Sequence, residues 1–190
     1  MENFLLMKNK NMKLVLYHGT STKYLDKILK EGIKPRGNKN GNWKHSVKSK
    51  KDLVYLTDTY APYFANAATK KPYKPVIIKL EINTKDFELY PDEDFICQSI
   101  IKTNNNKGLS LNELTEIIDP KMYPEQWKKS LKYFGNISTN YIPKECIKSY
   151  CIGDFMEFLR IQDPVITILN HIIMSKAYKA SIKNLNFINI

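Results

Sequence analysis

The tightest constraint on the fold is a strand that gives way to a helix almost at once near the N-terminus. Residues 13–17, Lys-Leu-Val-Leu-Tyr, form a short apolar run bounded by polar residues and by Gly19, the pattern of a buried strand. Thr20, Ser21 or Thr22 can cap a helix through a side-chain oxygen. In the segment that follows, Tyr24, Leu25, Ile28 and Leu29 fall on one face, and Lys23, Lys27 and Lys30 lie largely opposite. Gly32 ends that helix and Pro35 prevents its resumption. His18-Gly19-Thr20 therefore falls between a strand and a helix. A glycine there lets backbone approach a ligand closely, the helix N-terminus offers free N–H groups, and a histidine can donate to a ligand hydroxyl. By itself the tripeptide also reads as a plain turn with a solvent-facing histidine.

The rest of the pattern is neither all-helical nor a repeating strand–helix–strand array. A loop over 34–51, rich in Gly, Asn, Ser and Lys, reads equally as a lid or as a solvated, mobile loop. A strand over 53–57 follows, then a helix over 60–69 capped by Asp58 or Thr59, with Ala61, Phe64, Ala65 and Ala68 inward. Residues 76–82 are rich in β-branched side chains and read as a strand. Helical segments are expected over 95–101, 111–118 and 124–134, and strands over 137–140, 145–152 and 155–161, with Gly153-Asp154 as a hairpin turn. A last helix is expected near 175–185. The order predicts an α+β fold. Residues 13–190 are expected to form one domain, with 1–12 as a frayed lead-in and 92–135 as a helical insertion.

Composition narrows the function classes. At 43% hydrophobic residues the 190-residue chain can build a core, and no run approaches the length needed to span a bilayer. Cys97, Cys146 and Cys151 lack metal or redox spacing, and His18, His45 and His171 are far apart, so no metal site is expected. The odd cysteine count suits a reducing compartment, and the expected location is cytoplasmic. The net charge of +11 suits an anionic partner. Yet Arg36 and Arg160 are the only arginines, and a lysine-rich surface is also what an AT-rich coding sequence produces.

Two further positions add to His18. Tyr55, in Val54-Tyr55-Leu56-Thr57, precedes Ala61-Pro62-Tyr63-Phe64-Ala65, and an aromatic there can stack on a planar ring. Glu145 follows Pro143, which fits a strand's start or edge, so Glu145 would begin a strand. Taken together, residues 14–21, the glycine-ended helix, residues 54–58 and Glu145-Cys146-Ile147 resemble the ADP-ribosyltransferase superfamily of the histidine–tyrosine–glutamate type. That group includes the poly(ADP-ribose) polymerases and diphtheria-like toxins.

The resemblance implies a split, mixed β-sheet with NAD, as co-substrate, in the cleft, and Tyr17 to Thr20 as one wall. It implies that His18 bonds a ribose hydroxyl and that Gly19, beside Thr20, holds the nicotinamide amide. Tyr55 would stack on the nicotinamide, with Phe64 or Tyr63 as a second aromatic wall. Glu145 would bind the hydroxyl of the nicotinamide-side ribose and complete a catalytic set with His18 and Tyr55. Breaking the nicotinamide–ribose bond develops positive charge on the sugar, and a fixed carboxylate stabilises it most in the transition state. The acidic run Asp92-Glu93-Asp94 is the next candidate for that carboxylate, or else caps the helix at Phe95.

The acceptor of ADP-ribose would be a protein or a nucleic acid, with no membrane partner. Alternatives stay open: a tRNA 2′-phosphotransferase-like enzyme, for which arginines are scarce; simple NAD hydrolysis; an inactive NAD- or ADP-ribose-binding module; and a lysine-rich nucleic-acid-binding domain.

Overall fold

The computed structural model describes residues 11–37, 47–101, 109–155 and 168–190. The fold is α+β, with one sheet of seven strands and six α-helices among the described residues. The strands are β1 (Lys13–Ser21), β2 (Val54–Thr57), β3 (Pro75–Asn83), β4 (Leu89–Pro91), β5 (Asn136–Thr139), β6 (Ile147–Ile152) and β7 (Ile188–Asn189). Their order across the sheet is β4-β5-β2-β1-β3-β6-β7. The helices are α1 (Thr22–Glu31), α2 (Ala61–Ala67), α3 (Glu93–Ile96), α4 (Leu111–Ile117), α5 (Trp127–Phe134) and α6 (Ile168–Lys183). None is long and apolar enough to cross a membrane.

Among the described residues every pairing is antiparallel, so the mixed sheet expected from sequence is corrected. Each strand runs opposite to its neighbours even where the connections are long. β1 is the spine, and its two edges differ. Against β3 it pairs from Lys13↔Asn83 to Ser21↔Pro75. Against β2 the only partners are Tyr17↔Thr57.

β1 is also longer than its apolar run suggests. It continues through His18-Gly19-Thr20 to Ser21, because the β3 ladder carries those polar residues. Ser21 takes the N-cap position of α1 with no side-chain capping bond. The Thr22 N–H instead donates to the Lys74 carbonyl at 2.9 Å, and the Lys74 N–H donates to the Thr22 hydroxyl at 3.0 Å. Tertiary contact thus replaces the local cap. At the other end Gly32 has φ +81°, and a β-carbon there would lie 2.3 Å from the Ile142 carbonyl oxygen. Both facts demand glycine.

Strand alternation divides the core. Leu16, Val76, Ile78, Leu80 and Ile82 pack with Leu25 and Ile28 of α1 on one face. Tyr17, Ile77 and Cys151 pack on the other with Ala61 and Ala65 of α2 and Ile182 of α6. The 92–135 stretch has its own small core, in which Phe95, Ile96, Leu114, Ile118 and Phe134 enclose Val47. It holds α3, α4 and α5, with a π-turn at Cys97–Ile101 in place of the continuous helix expected over 95–101. β4 and β7, too short to carry a periodic signal, were not foreseen. The expected strand over 155–161 falls, beyond Phe155, outside the described residues.

Candidate functional site

Where β1 and β2 part, the gap is filled by a side chain. Past Tyr17↔Thr57 an unbroken ladder would place Gly19 opposite Tyr55. Instead the His18 ring approaches Tyr55, its Nδ1 lying 2.9 Å from the Tyr55 carbonyl oxygen. A carbonyl can only accept, so Nδ1 carries the proton. Burial lowers the His18 pKa, partly opposed by that bond, and the ring is neutral at pH 7. Its Nε2 is then a lone-pair acceptor. The sequence reading had His18 donating to a ligand hydroxyl; the tautomer makes it accept from one.

The gap opens into a cavity of about 500 Å³. His18, Gly19 and Thr20 of β1 line it, with Tyr24 and Lys27 of α1. So do Tyr55 of β2, Tyr63 and Phe64 of α2, Asp92, Glu93 and Asp94, and Asn136 of β5. His18 shares the sheet face of Leu16, whereas Tyr55 points opposite to Val54 and Leu56. Both reach one cavity because it passes through the gap in the sheet. Tyr17 does not line it; alternation turns its ring into the opposite core, 6.1 Å from Phe187.

Gly19 has a structural reason for being glycine. A β-carbon there would lie 2.4 Å from the Ala65 nitrogen and 2.6 Å from the Ala61 carbonyl oxygen. α2 therefore sits directly on the strand, which brings Tyr63 and Phe64 to the cavity. α2 starts without the Asp58 or Thr59 cap that the sequence suggested. The Thr57 hydroxyl accepts from the N–H groups of Thr59 and Tyr60, at 3.0 and 2.9 Å. It donates to the Gly135 carbonyl at 2.7 Å, tying α2 to the end of α5.

The acidic end of the cavity is built on Tyr55. Its hydroxyl donates to the Glu93 carboxylate in a very short hydrogen bond and accepts from the Lys50 N–H at 2.6 Å. The same N–H lies 3.0 Å from Glu93 Oε1. Burial pushes the Glu93 pKa up to about 7, while the Tyr55 hydroxyl pulls it down. Burial and the charges of Asp94 and Glu93 hold the Asp92 pKa well above the usual carboxylate range. Asp92 also caps α3 by accepting from the Asp94 N–H at 3.0 Å, so the capping and site readings of this run coexist.

Lys50 belongs to the loop proposed as a lid. That loop is tied at both described ends. The Gly37 N–H donates to the Lys51 carbonyl at 2.9 Å, and the Arg36 guanidinium to the Ser49 carbonyl at 2.6 Å. Lys50 Nζ reaches the Thr115 carbonyl at 2.8 Å, so the helical stretch fixes the backbone N–H that holds Tyr55 and Glu93.

Glu145 stands elsewhere. Lys144–Cys146 is an exposed 3₁₀ turn, and β6 begins only at Ile147. Pro143 opens that turn because its fixed φ of −59° suits it. The structure brings His18, Gly19, Thr20, Tyr55, Tyr63 and Phe64 to one cavity, leaves Glu145 outside its lining, and supplies Asp92, Glu93 and Asp94 instead. Asn136 gave no sequence signal. It is buried at the start of β5, and its side-chain oxygen has no hydrogen-bond partner.

No family model matches the sequence, and no curated protein matches it. Among solved structures the chain is similar to one titled EcPltA, with a TM-score of 0.39 and 13% identity over 73% of this chain and 74% of that one.

Proposed function

We propose that this chain binds NAD in the cavity between β1 and β2 and cleaves its nicotinamide–ribose bond, passing ADP-ribose to a macromolecular acceptor. One observation carries the reading. A neutral histidine acceptor, aromatic walls and a carboxylate held by Tyr55 line the same cavity of about 500 Å³. That volume is in the range of small-ligand sites. The residue resemblance described above supplies the chemistry.

Under this reading the two sides of the cavity serve opposite charges. On the α1 side Lys27 and Arg36 line it and suit a pyrophosphate, beside a Lys34 that is paired with Glu31 at 2.8 Å. On the α3 side Glu93 faces the sugar where positive charge develops as the bond breaks. Preorganised charge of this kind is worth about 10²–10³-fold in rate. Tyr55 and the Lys50 N–H both bond Glu93 Oε1, fixing the carboxylate before substrate arrives. His18 Nε2 accepts a ribose hydroxyl, and Tyr55, Tyr63 and Phe64 flank the nicotinamide.

The test uses NAD labelled in its ADP-ribose part, incubated with the chain and cell extract. Nicotinamide release, with label on protein or nucleic acid, is expected. Release with no labelled macromolecule reduces the activity to NAD hydrolysis. No release, with NAD still bound, leaves a binding module. Glu93→Gln should abolish release and Glu145→Gln should leave it intact; the reverse result returns the catalytic role to Glu145.

A further inference from the structure

A second cavity, of about 700 Å³, lies on the other side of Tyr63. It is bounded by Asn66 of α2, the turn carrying Lys71, Tyr73 and Lys74, and the end of β6 at Ile152. Tyr63 lines both cavities, so the two share a wall. Asp94 lines the first cavity with Tyr63, so the shared wall lies at its carboxylate end; burial raises the Tyr63 pKa, and the Asp94 charge adds to it.

Three features of the second cavity specify its occupant. The Asn66 side-chain nitrogen is buried without a hydrogen-bond partner, and a donor left this way calls for an acceptor. Tyr73 is 43% exposed, a broad aromatic face at the rim. Lys70, Lys71 and Lys74 are exposed around it, and Lys23 Nζ stands 5.8 Å from the Tyr73 ring centroid. Among the described residues none of these four lysines pairs with a carboxylate. Stacking surface, lysines without carboxylate partners and a buried amide donor together match a nucleobase on its phosphate backbone. An acidic peptide would use the lysines but leave Tyr73 without a stacking partner.

We propose that this second cavity binds single-stranded nucleic acid, a base against Tyr73 and phosphates on Lys71 and Lys74, and so presents the acceptor. Its role as acceptor seat rests on the reading of the first cavity; the binding itself does not. In the transfer the ribose C1′–nitrogen bond breaks and its electron pair leaves on neutral nicotinamide. A lone pair of a base nitrogen or oxygen forms the new bond to C1′. The proton shed by that atom passes to the Glu93 carboxylate and then to water.

The experiment measures fluorescence anisotropy of a labelled single-stranded oligonucleotide with the full chain and no NAD, across a salt series. A duplex and a polyglutamate peptide serve as competitors. The single strand should bind best and weaken steeply with salt. Tyr73→Ala should weaken it roughly tenfold, the size of one lost base stack, and Lys71→Glu with Lys74→Glu at least as much. All three residues are exposed, and thermal melting checks that the variants fold. Binding indifferent to both variants, or stronger competition by polyglutamate, overturns the proposal. In a second assay with labelled NAD and the oligonucleotide together, label on protein with none on the oligonucleotide overturns the acceptor role. Oligonucleotide binding with no nicotinamide release overturns the reading of the first cavity and leaves this site standing.

Discussion

The two edges of β1 show how one strand can be both a seam and a cleft. Along β3 it pairs from Lys13 to Ser21, and the side chains at that seam, Ile77, Ile78 and Leu80, are fully buried. Along β2 it pairs only at Tyr17↔Thr57. There the His18 ring, held by the Tyr55 carbonyl, occupies the space the ladder leaves. The seam is closed by apolar burial and backbone bonds, both satisfied within the protein. The cleft is edged by polar groups whose partners include an imidazole and a carboxylate with pKa values displaced by burial.

The contrast can be broken from either side. The largest effect is expected at the seam. Leu80→Ala should cost about 2–5 kcal/mol by chemical denaturation, from lost burial and the cavity left behind, while NAD affinity of the folded protein stays unchanged. Glu93→Gln works on the cleft alone: nicotinamide release should fall about 10²–10³-fold with the fold retained, as circular dichroism would show. A loss of fold instead would make Glu93 a structural group. Gly19→Ala joins the two sides, because the added methyl meets the backbone of α2 at 2.4 Å. It should cost about 1–3 kcal/mol and weaken NAD binding by shifting Tyr63 and Phe64. Stability loss without a binding change would separate α2 packing from the site.

The smallest effect is a matter of sign. Burial lifts the Glu93 pKa from an ordinary 4.5 to about 7, so the folded state holds this proton more tightly than the unfolded chain does. The group's contribution therefore declines as pH rises from about 4.5 to about 7 and is constant above. Glutamine keeps an oxygen for Tyr55 and Lys50 but carries no charge. Glu93→Gln should melt like the parent at pH 4 and higher than the parent at pH 8. Equal melting temperatures at both would mean that burial does not raise the Glu93 pKa. The parent's stability near neutral pH is then reduced by the same carboxylate that the proposed reaction needs.

Much of the first half was legible because its signals are local. The α1 face, its stop at Gly32, and the strands around Tyr55 and over 76–82 follow from periodicity and glycine position, and each appears within a few residues of its expected bounds. The helices at 111–117 and 127–134 were legible for the same reason, the first closed by a Ser110/Glu113 capping box. Caps were less so: Ser21 and Asp58 were reasonable candidates, but the Lys74 and Thr57 contacts that replace them come from distant or unremarkable positions. Glu145 illustrates the limit. Pro143 fits a strand's start or edge, so Glu145 reads as a strand start, yet the strand begins two residues later and the glutamate stays on an exposed turn.

The sequence by itself determined the α+β order, the glycine-ended first helix and the candidacy of His18, Tyr55, Tyr63 and Phe64, because each depends on neighbours a few residues away. Only the tertiary structure decided which carboxylate meets them. Glu93 is far along the chain from both His18 and Tyr55. It reaches the Tyr55 hydroxyl because the small core of Phe95, Ile96 and Phe134 packs α3 beside the gap in the sheet. It decided, too, that Tyr17 and His18 part company. Their side chains alternate across β1, one into the core and one into the cavity, and a one-residue change of register would exchange them.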